Sequence, residues 1–264
     1  MMNKMRVVFT FSLFFVMYTT ARCEEWRMVD SGKFCWNDTA QQYMCIVDLP
    51  KQWTNNDPGD FLRIRIQKDG KRVFTLVNMD GWIDRNPEYS YSKSLSLNKH
   101  FVLAPITADS SVKAMILTGY GYASDASRLD IISLYNGIPE LVATMEHFNV
   151  LKIEDLDQDS TNEVVGRKWL GEVYGKDNVF HSYCPFFVYR YVKKNDHWQF
   201  LFDVTLTRDY NKKHYYGWRG TNPREVYVVV HPKDGSKPRI MKEKEALEKY
   251  GSQVQDKVKS SVLR

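Results

Sequence analysis

The stretch Phe61–Met79, FLRIRIQKDGKRVFTLVNM, constrains this chain more than any other. Apolar and polar residues alternate in FLRIRIQ, Asp69-Gly70 interrupts them, and RVFTLVNM returns. Period-two alternation on both sides of an Asp-Gly pair specifies a β-hairpin with one face buried. The same texture recurs in VKAMILTGYGY, RLDIISLYN, PELVATM, NEVVGRKW, FFVYRYV, WQFLFDVTLT and EVYVVVH. Each is rich in β-branched and aromatic residues and bounded by turn formers, and aromatic residues make up 14% of the chain. That composition suits sheets better than a helical bundle. Helical character is expected only near the C-terminus, where KEKEALEKY runs up to Gly251 and Val254, Val258 and Val262 follow at spacing four. The expected fold is mainly β: a propeller-like array of antiparallel hairpins over residues 24–238, with a helical tail over 239–264.

An internal repeat supports an array. HFVLAPITADSSVKAMIL, from His100, aligns with FNVLKIEDLDQDSTNEVV, from Phe148. Leu103 then meets Leu151, Asp109 meets Asp157, and Ile116-Leu117 meets Val164-Val165. Downstream, IISLYNGIPELVATM and FVYRYVKKNDHWQFLFDV each read as a hairpin whose first strand ends in Tyr. A unit of about four strands every ~45 to 50 residues is the size of one propeller blade.

The N-terminus reads as an export signal. Lys4 and Arg6 precede the apolar run Val7–Met17, and Ala21 and Cys23 occupy the small-residue positions before a cleavage point at Glu24. The run is shorter than the ~20 apolar residues a membrane span needs. Arg22 disfavours the alternative of a lipidated Cys23. Removing residues 1–23 takes away Lys4, Arg6 and Arg22 and no acid, so 37 basic and 32 acidic residues become 34 and 32, a net charge of +2. A chain so near neutrality gives no electrostatic reason to bind nucleic acid. The expected location is secreted or periplasmic. There disulfides persist, and Cys35 and Cys45 bracket the polar turn WNDTAQQYM, so a Cys35–Cys45 bridge is expected.

The chemistry concentrates in DLDQDSTNE, residues 155–163. Asp155, Asp157 and Asp159 alternate, Thr161 can offer its carbonyl and Glu163 closes the set. Calcium takes about six to eight oxygen ligands, and clustered carboxylates on a short loop supply them. An EF-hand is excluded, because its sixth position needs Gly where Ser160 stands and its twelfth needs Glu where Gly166 stands. The flanks VLKI and VVG are also strand-like. The layout strand, D-x-D-x-D-x-x-x-[DE], strand resembles the calcium loop of FG-GAP repeats in integrin-α propellers and of related VCBS-type repeats. The resemblance implies one calcium site with Asp155, Asp157, Asp159, Thr161 and Glu163 as ligands. It departs at Ser160, where the family has Gly. The earlier repeat unit has Thr107, Ser111 and Met115 at the ligand positions, so a single site is expected. A metal-free acidic turn fixed by Asx hydrogen bonds is the competing expectation.

No G-x-S-x-G elbow, P-loop or H-E-x-x-H motif is present. His181 and Cys184 lie close enough in sequence for a nucleophile pair, but Cys184 opens an apolar strand and reads as a buried thiol. DYNKKHYYGWRGTNPRE is the ligand-surface candidate: Tyr215, Tyr216, Trp218 and Arg219 can stack a sugar or enter a protein groove. The expected function is an exported, non-enzymatic binding protein with a protein or glycan partner, including an inhibitor or immunity role. The alternative is an exported hydrolase without a local motif.

Overall fold

The computed structural model describes residues 25–36, 41–54, 59–84, 96–97, 99–107, 111–119, 128–135, 137–168, 173–174, 179–195, 197–220, 224–233 and 235–250. The export signal at 1–23 and the Val254–Val262 part of the tail lie outside them. The described strands form four open antiparallel sheets, and none closes into a barrel. Sheet 1 contains β1 (Trp26–Cys35), β2 (Gln42–Pro50), β3 (Phe61–Lys68) and β4 (Lys71–Trp82), in that order. Sheet 2 follows with β5 (Ser96–Leu97), β6 (Val102–Pro105), β7 (Lys113–Thr118), β8 (Leu129–Tyr135) and β9 (Ile138–Met145).

The chain then runs through β10 (Asn149–Glu154), β11 (Glu163–Arg167), β12 (Val173–Tyr174), β13 (Phe180–Ser182), β14 (Phe187–Lys194) and β15 (His197–Phe202). It ends with α1 (Val204–His214), β16 (Tyr227–Val230), β17 (Arg239–Lys242) and α2 (Glu243–Tyr250). Sheet 3 has the order β10-β11-β14-β15, and sheet 4 the order β12-β13-β16-β17.

Burial follows from the sequence texture. In β3, Ile64 and Ile66 are buried and the intervening Arg63 and Arg65 lie on the opposite face. That face has its own anchor, the buried Asp48, which accepts from Arg63 Nε (2.8 Å) and from Arg65 Nε and Nη2 (2.7 and 2.6 Å). The β3–β4 turn has Asp69 at φ +51° and Gly70 at φ +73°, two consecutive left-handed residues, as the Asp-Gly signal requires. Sheet 2 is different because both its faces are covered. Leu103, Met115, Leu117 and Ile132 join Val47, Ile64 and Ile66 of sheet 1, while Val102, Ala104, Ile116 and Ile131 join Phe148, Val164 and Phe187 of sheet 3. Two-sided burial explains why AMIL and DIIS are nearly continuous apolar runs where β3 alternates. Sheets 1, 2 and 3 therefore stack in chain order, each burying a face on the next.

The two halves of the sequence repeat occupy equivalent places. The β6–β7 and β8–β9 hairpins build sheet 2 as β10–β11 and β14–β15 build sheet 3. Their first loops touch: Thr107 and Thr161 form a lone β-bridge, and Asn162 donates to the carbonyls of Ile106 (backbone N–H, 2.9 Å) and Pro105 (Nδ2, 2.8 Å). Sheet 4 breaks the pattern. Its β12 and β13 come from an insertion between β11 and β14 and pair with each other, and β13 pairs in turn with β16 from beyond α1.

Three expectations need correcting. Cys35 and Cys45 carry free thiols. The β1–β2 hairpin forms, but Cys35 faces Gln42 and Cys45 faces Gly32. A three-residue offset separates them by ~10 Å and puts them on opposite faces of the sheet, beyond the roughly 7 Å that a disulfide spans between Cα atoms. Next, the strand expected through WQFLFDVTLT stops at Phe202. Asp203 caps a helix there, its Oδ1 accepting from the Leu206 N–H (2.8 Å). Finally, residues 239–242 are strand β17 rather than the start of a helical tail. The helix that follows, α2, packs Ala246 against Val179, Phe180, Val228 and Val230 of sheet 4. Among the described residues no helix is long and apolar enough to cross a membrane.

Candidate functional site

The acidic loop joins β10 to β11. Asp155, Asp157 and Asp159 each offer a carboxylate oxygen, and these oxygens lie within 4.8 Å of one another. Two oxygens on opposite sides of a calcium ion stand ~4.6 to 5.2 Å apart, so the spacing fits one such cation. The loop is held by its own side chains. Thr161 N–H donates to Asp159 Oδ1 (2.8 Å), Ser160 N–H to Asp155 Oδ2 (3.1 Å) and Asp159 N–H to Asp157 Oδ1 (3.3 Å). Both Asx-turn bonding and a metal-competent cluster are therefore present. Ser160 has φ +71° and Gln158 φ +63°. Left-handed backbone is what Gly supplies without cost, so Ser160 holds a conformation that a side chain strains.

Glu163 stands outside the triad. Its side chain is fully buried where β10, β11 and β14 meet, facing Glu154 on one side and Arg190 on the other. Its Oε2 accepts from Leu156 N–H (2.8 Å), while among the described residues Oε1 has no partner, and neither has the buried Oδ1 of Asp155. Burial pushes the Glu163 carboxyl up to about 7, and Asp157 and Asp159 add to this against the Leu156 N–H and Arg190. Arg190 supplies the local positive charge: it hydrogen-bonds Asp159 and lies 3.6 Å from Asp157 and 3.4 Å from Asp203. Thr161 is placed by its bridge to Thr107.

The aromatic-basic segment does not act as one surface. Trp218 packs edge-on to Phe187 (5.6 Å between ring centroids) and belongs to the core between sheets 2 and 3. Arg219 is exposed, its backbone N–H donating to Tyr183 Oη (2.9 Å). Tyr215 and Tyr216 instead line a cleft of about 460 Å³ with Arg167, His181, Ser182, Cys184 and His214. The Tyr215 hydroxyl accepts from the Cys184 N–H (3.0 Å), and burial pushes the phenol up to about 12. Tyr216 is 39% exposed at the rim, 5.4 Å from the His181 ring and 5.6 Å from His231.

His181 Nδ1 and His231 Nε2 lie 3.0 Å apart, so the imidazole next to Cys184 in sequence is engaged by a second imidazole. Burial lowers the His181 pKa, and the positive charges of His231 and Arg167 lower it further. Arg167, His214 and His231 escaped the sequence reading because no local pattern links them. They arrive from the end of β11, the end of α1 and the residue after β16.

No known family, curated protein or solved structure matches this chain.

Proposed function

We propose that this chain is an exported, non-enzymatic binding protein for a protein or glycan partner, built as a propeller-like stack of β-sheets and braced by one calcium ion in an FG-GAP-like loop. Face-to-face packing of sheets 1, 2 and 3, with the sequence repeat falling one unit per sheet, supports the propeller-like part. The observation that carries the calcium part is the triad of Asp155, Asp157 and Asp159 within 4.8 Å, with a buried, partnerless Asp155 Oδ1 beside it. An anionic oxygen withdrawn from water without a partner is costly, and a cation in the loop would supply that partner. Asp155, Asp157 and Asp159 would hold the ion, with Glu163 and the Thr161 carbonyl as the further ligands the resemblance implies. Calcium there would hold β10 to β11 and stiffen the contact with sheet 2 through Thr161 and Asn162.

Thermal unfolding with calcium and with chelator tests this reading. Free calcium at ~100 times its dissociation constant should add about 2.7 kcal/mol of stability. The Asp157→Ala, Asp159→Ala double variant should keep the β-rich spectrum and lose the response. If calcium shifts both proteins equally, or neither, the loop is an acidic turn.

A further inference from the structure

The cleft at the end of β11 carries an arginine whose surroundings differ from those of other described arginines beside buried groups. Elsewhere, arginines beside buried groups are matched with carboxylates: Arg63 and Arg65 with Asp48, Arg128 with Asp130, and Arg190 with Asp159. Arg167 has no carboxylate partner among the described residues. Its guanidinium rests over the Phe186 ring at 4.3 Å and near the Tyr215 ring at 5.8 Å, and its buried Nε has no acceptor. A guanidinium resting over rings keeps its charge and presents a planar fork that matches an oxyanion. The two rings hold it in place beside a cavity of about 460 Å³, room for a small ligand.

The walls add a second preference. Tyr216 stands exposed at the rim with its ring beside His181 and His231. Such a ring is a platform for a flat, partly apolar body bearing hydroxyls. His181 and His214 line the same cavity and bring ring nitrogens to it. Among the described residues no carboxylate lines the cavity, so its field favours anions.

We propose that this cleft binds an acidic sugar, with the carboxylate or phosphate on Arg167 and the sugar ring against Tyr216. The proposal rests on the reading of the chain as a binding protein and specifies the glycan alternative. It is independent of the calcium loop, so either can fail alone.

Titration calorimetry of the whole chain with glucuronate, glucose 6-phosphate, glucose and inorganic phosphate separates the possibilities. The two acidic sugars should bind, glucose should bind at least tenfold more weakly, and phosphate should also lose at least tenfold for want of the ring. Arg167→Leu should cost at least tenfold in affinity for both acidic sugars. Tyr216→Ala, at a position 39% exposed, should weaken both sugars and leave phosphate unchanged. Equal affinity for glucose and glucuronate would overturn the role of Arg167. Phosphate binding as tightly as glucose 6-phosphate would overturn the role of the ring. No binding of either acidic sugar at millimolar concentration, with calcium stabilisation intact, would overturn the site while leaving the loop standing. Should Arg167→Leu unfold, Arg167→Lys keeps the charge and loses the fork, and unchanged affinity in it would overturn the bidentate role.

Discussion

The β11–β14 ladder has two unlike ends. At one, Glu163 faces Arg190, which meets Asp157, Asp159 and Asp203. At the other, Gly166 pairs with Phe187 and the chain passes into Arg167, which meets rings and no acid among the described residues. Two arginines on neighbouring strands of one sheet thus have opposite surroundings. The acidic end has carboxylate left over: Arg190 and backbone amides engage part of it, and the buried Asp155 Oδ1 has no partner among the described residues. The basic end has charge left over. A surplus of acid around one arginine suits a second cation, and an arginine without acid suits an anion.

The comparison breaks most severely at the strand joining the two ends. A Cβ on Gly166 would lie 2.4 Å from the Asn149 carbonyl oxygen and 2.5 Å from the Phe148 ring, both firmly placed. Gly166→Ala should therefore destabilise by roughly 3 kcal/mol in urea unfolding, the upper range for overpacking. It should weaken calcium and ligand responses together. Loss of one response with the other intact would mean that the ends are independent of the ladder.

Removing each arginine sharpens the contrast. Arg190→Gln in chelator leaves the carboxylates without their cation and should cost about 1 to 2 kcal/mol, the range for charged hydrogen bonds lowered by the partial exposure of the pair. The same variant should respond more strongly to calcium, since a competing positive charge is gone. Arg167→Gln should leave the calcium response unchanged. Melting curves of both variants with and without calcium decide the matter, and equal calcium responses would erase the distinction.

A smaller effect concerns Ser160. Its φ of +71° suits Gly, so Ser160→Gly should stabilise by up to about 1 kcal/mol, less the chain entropy that Gly adds to the unfolded state. A fall in stability would mean that the Ser side chain contributes more than the backbone strain costs.

The smallest effect is a pH dependence at the basic end. The lowered pKa of His181 means that the folded state resists its protonation. The associated stability is present above the unfolded value, ~6.5, and is lost as pH falls through it towards the lowered folded value. The groups around this imidazole are His231, Arg167, His214, Tyr215, Tyr216 and Cys184. His181→Gln should flatten the acid side of the stability–pH curve, and an unchanged slope would assign it to other groups.

Much of the regular part was legible in sequence because its physics is local. Alternation in FLRIRIQ and the Asp-Gly bend specify β3 and β4 within about twenty residues, the range over which hairpin signals act. The repeat from His100 to Phe148 reports a common hairpin plan. Helix α1 was illegible for a specific reason: its buried residues are Thr207 and Asn211, so it has no apolar stripe. Those polar side chains replace a strand edge. Thr207 Oγ1 accepts from the Val188 N–H (2.9 Å), while Asn211 accepts from the Phe186 N–H (2.9 Å) and donates to the Phe186 carbonyl (2.8 Å). Only the cap at Asp203 signalled the helix. The acidic loop was legible as a pattern, but Arg190 and the separate position of Glu163 were not. Both depend on the pairing of β11 with β14, which no short window contains.

The borrowed strands of sheet 4 set an order of events. As the chain is synthesised from its N-terminus, sheets 1 and 2 can close before β13 has a lasting neighbour. His181 waits for Val229, its partner in the ladder, and for His231. A chain interrupted after α1 would keep the stacked sheets and the acidic loop, yet lack the wall that shapes the cleft. Ligand recognition would then be the last property this molecule acquires.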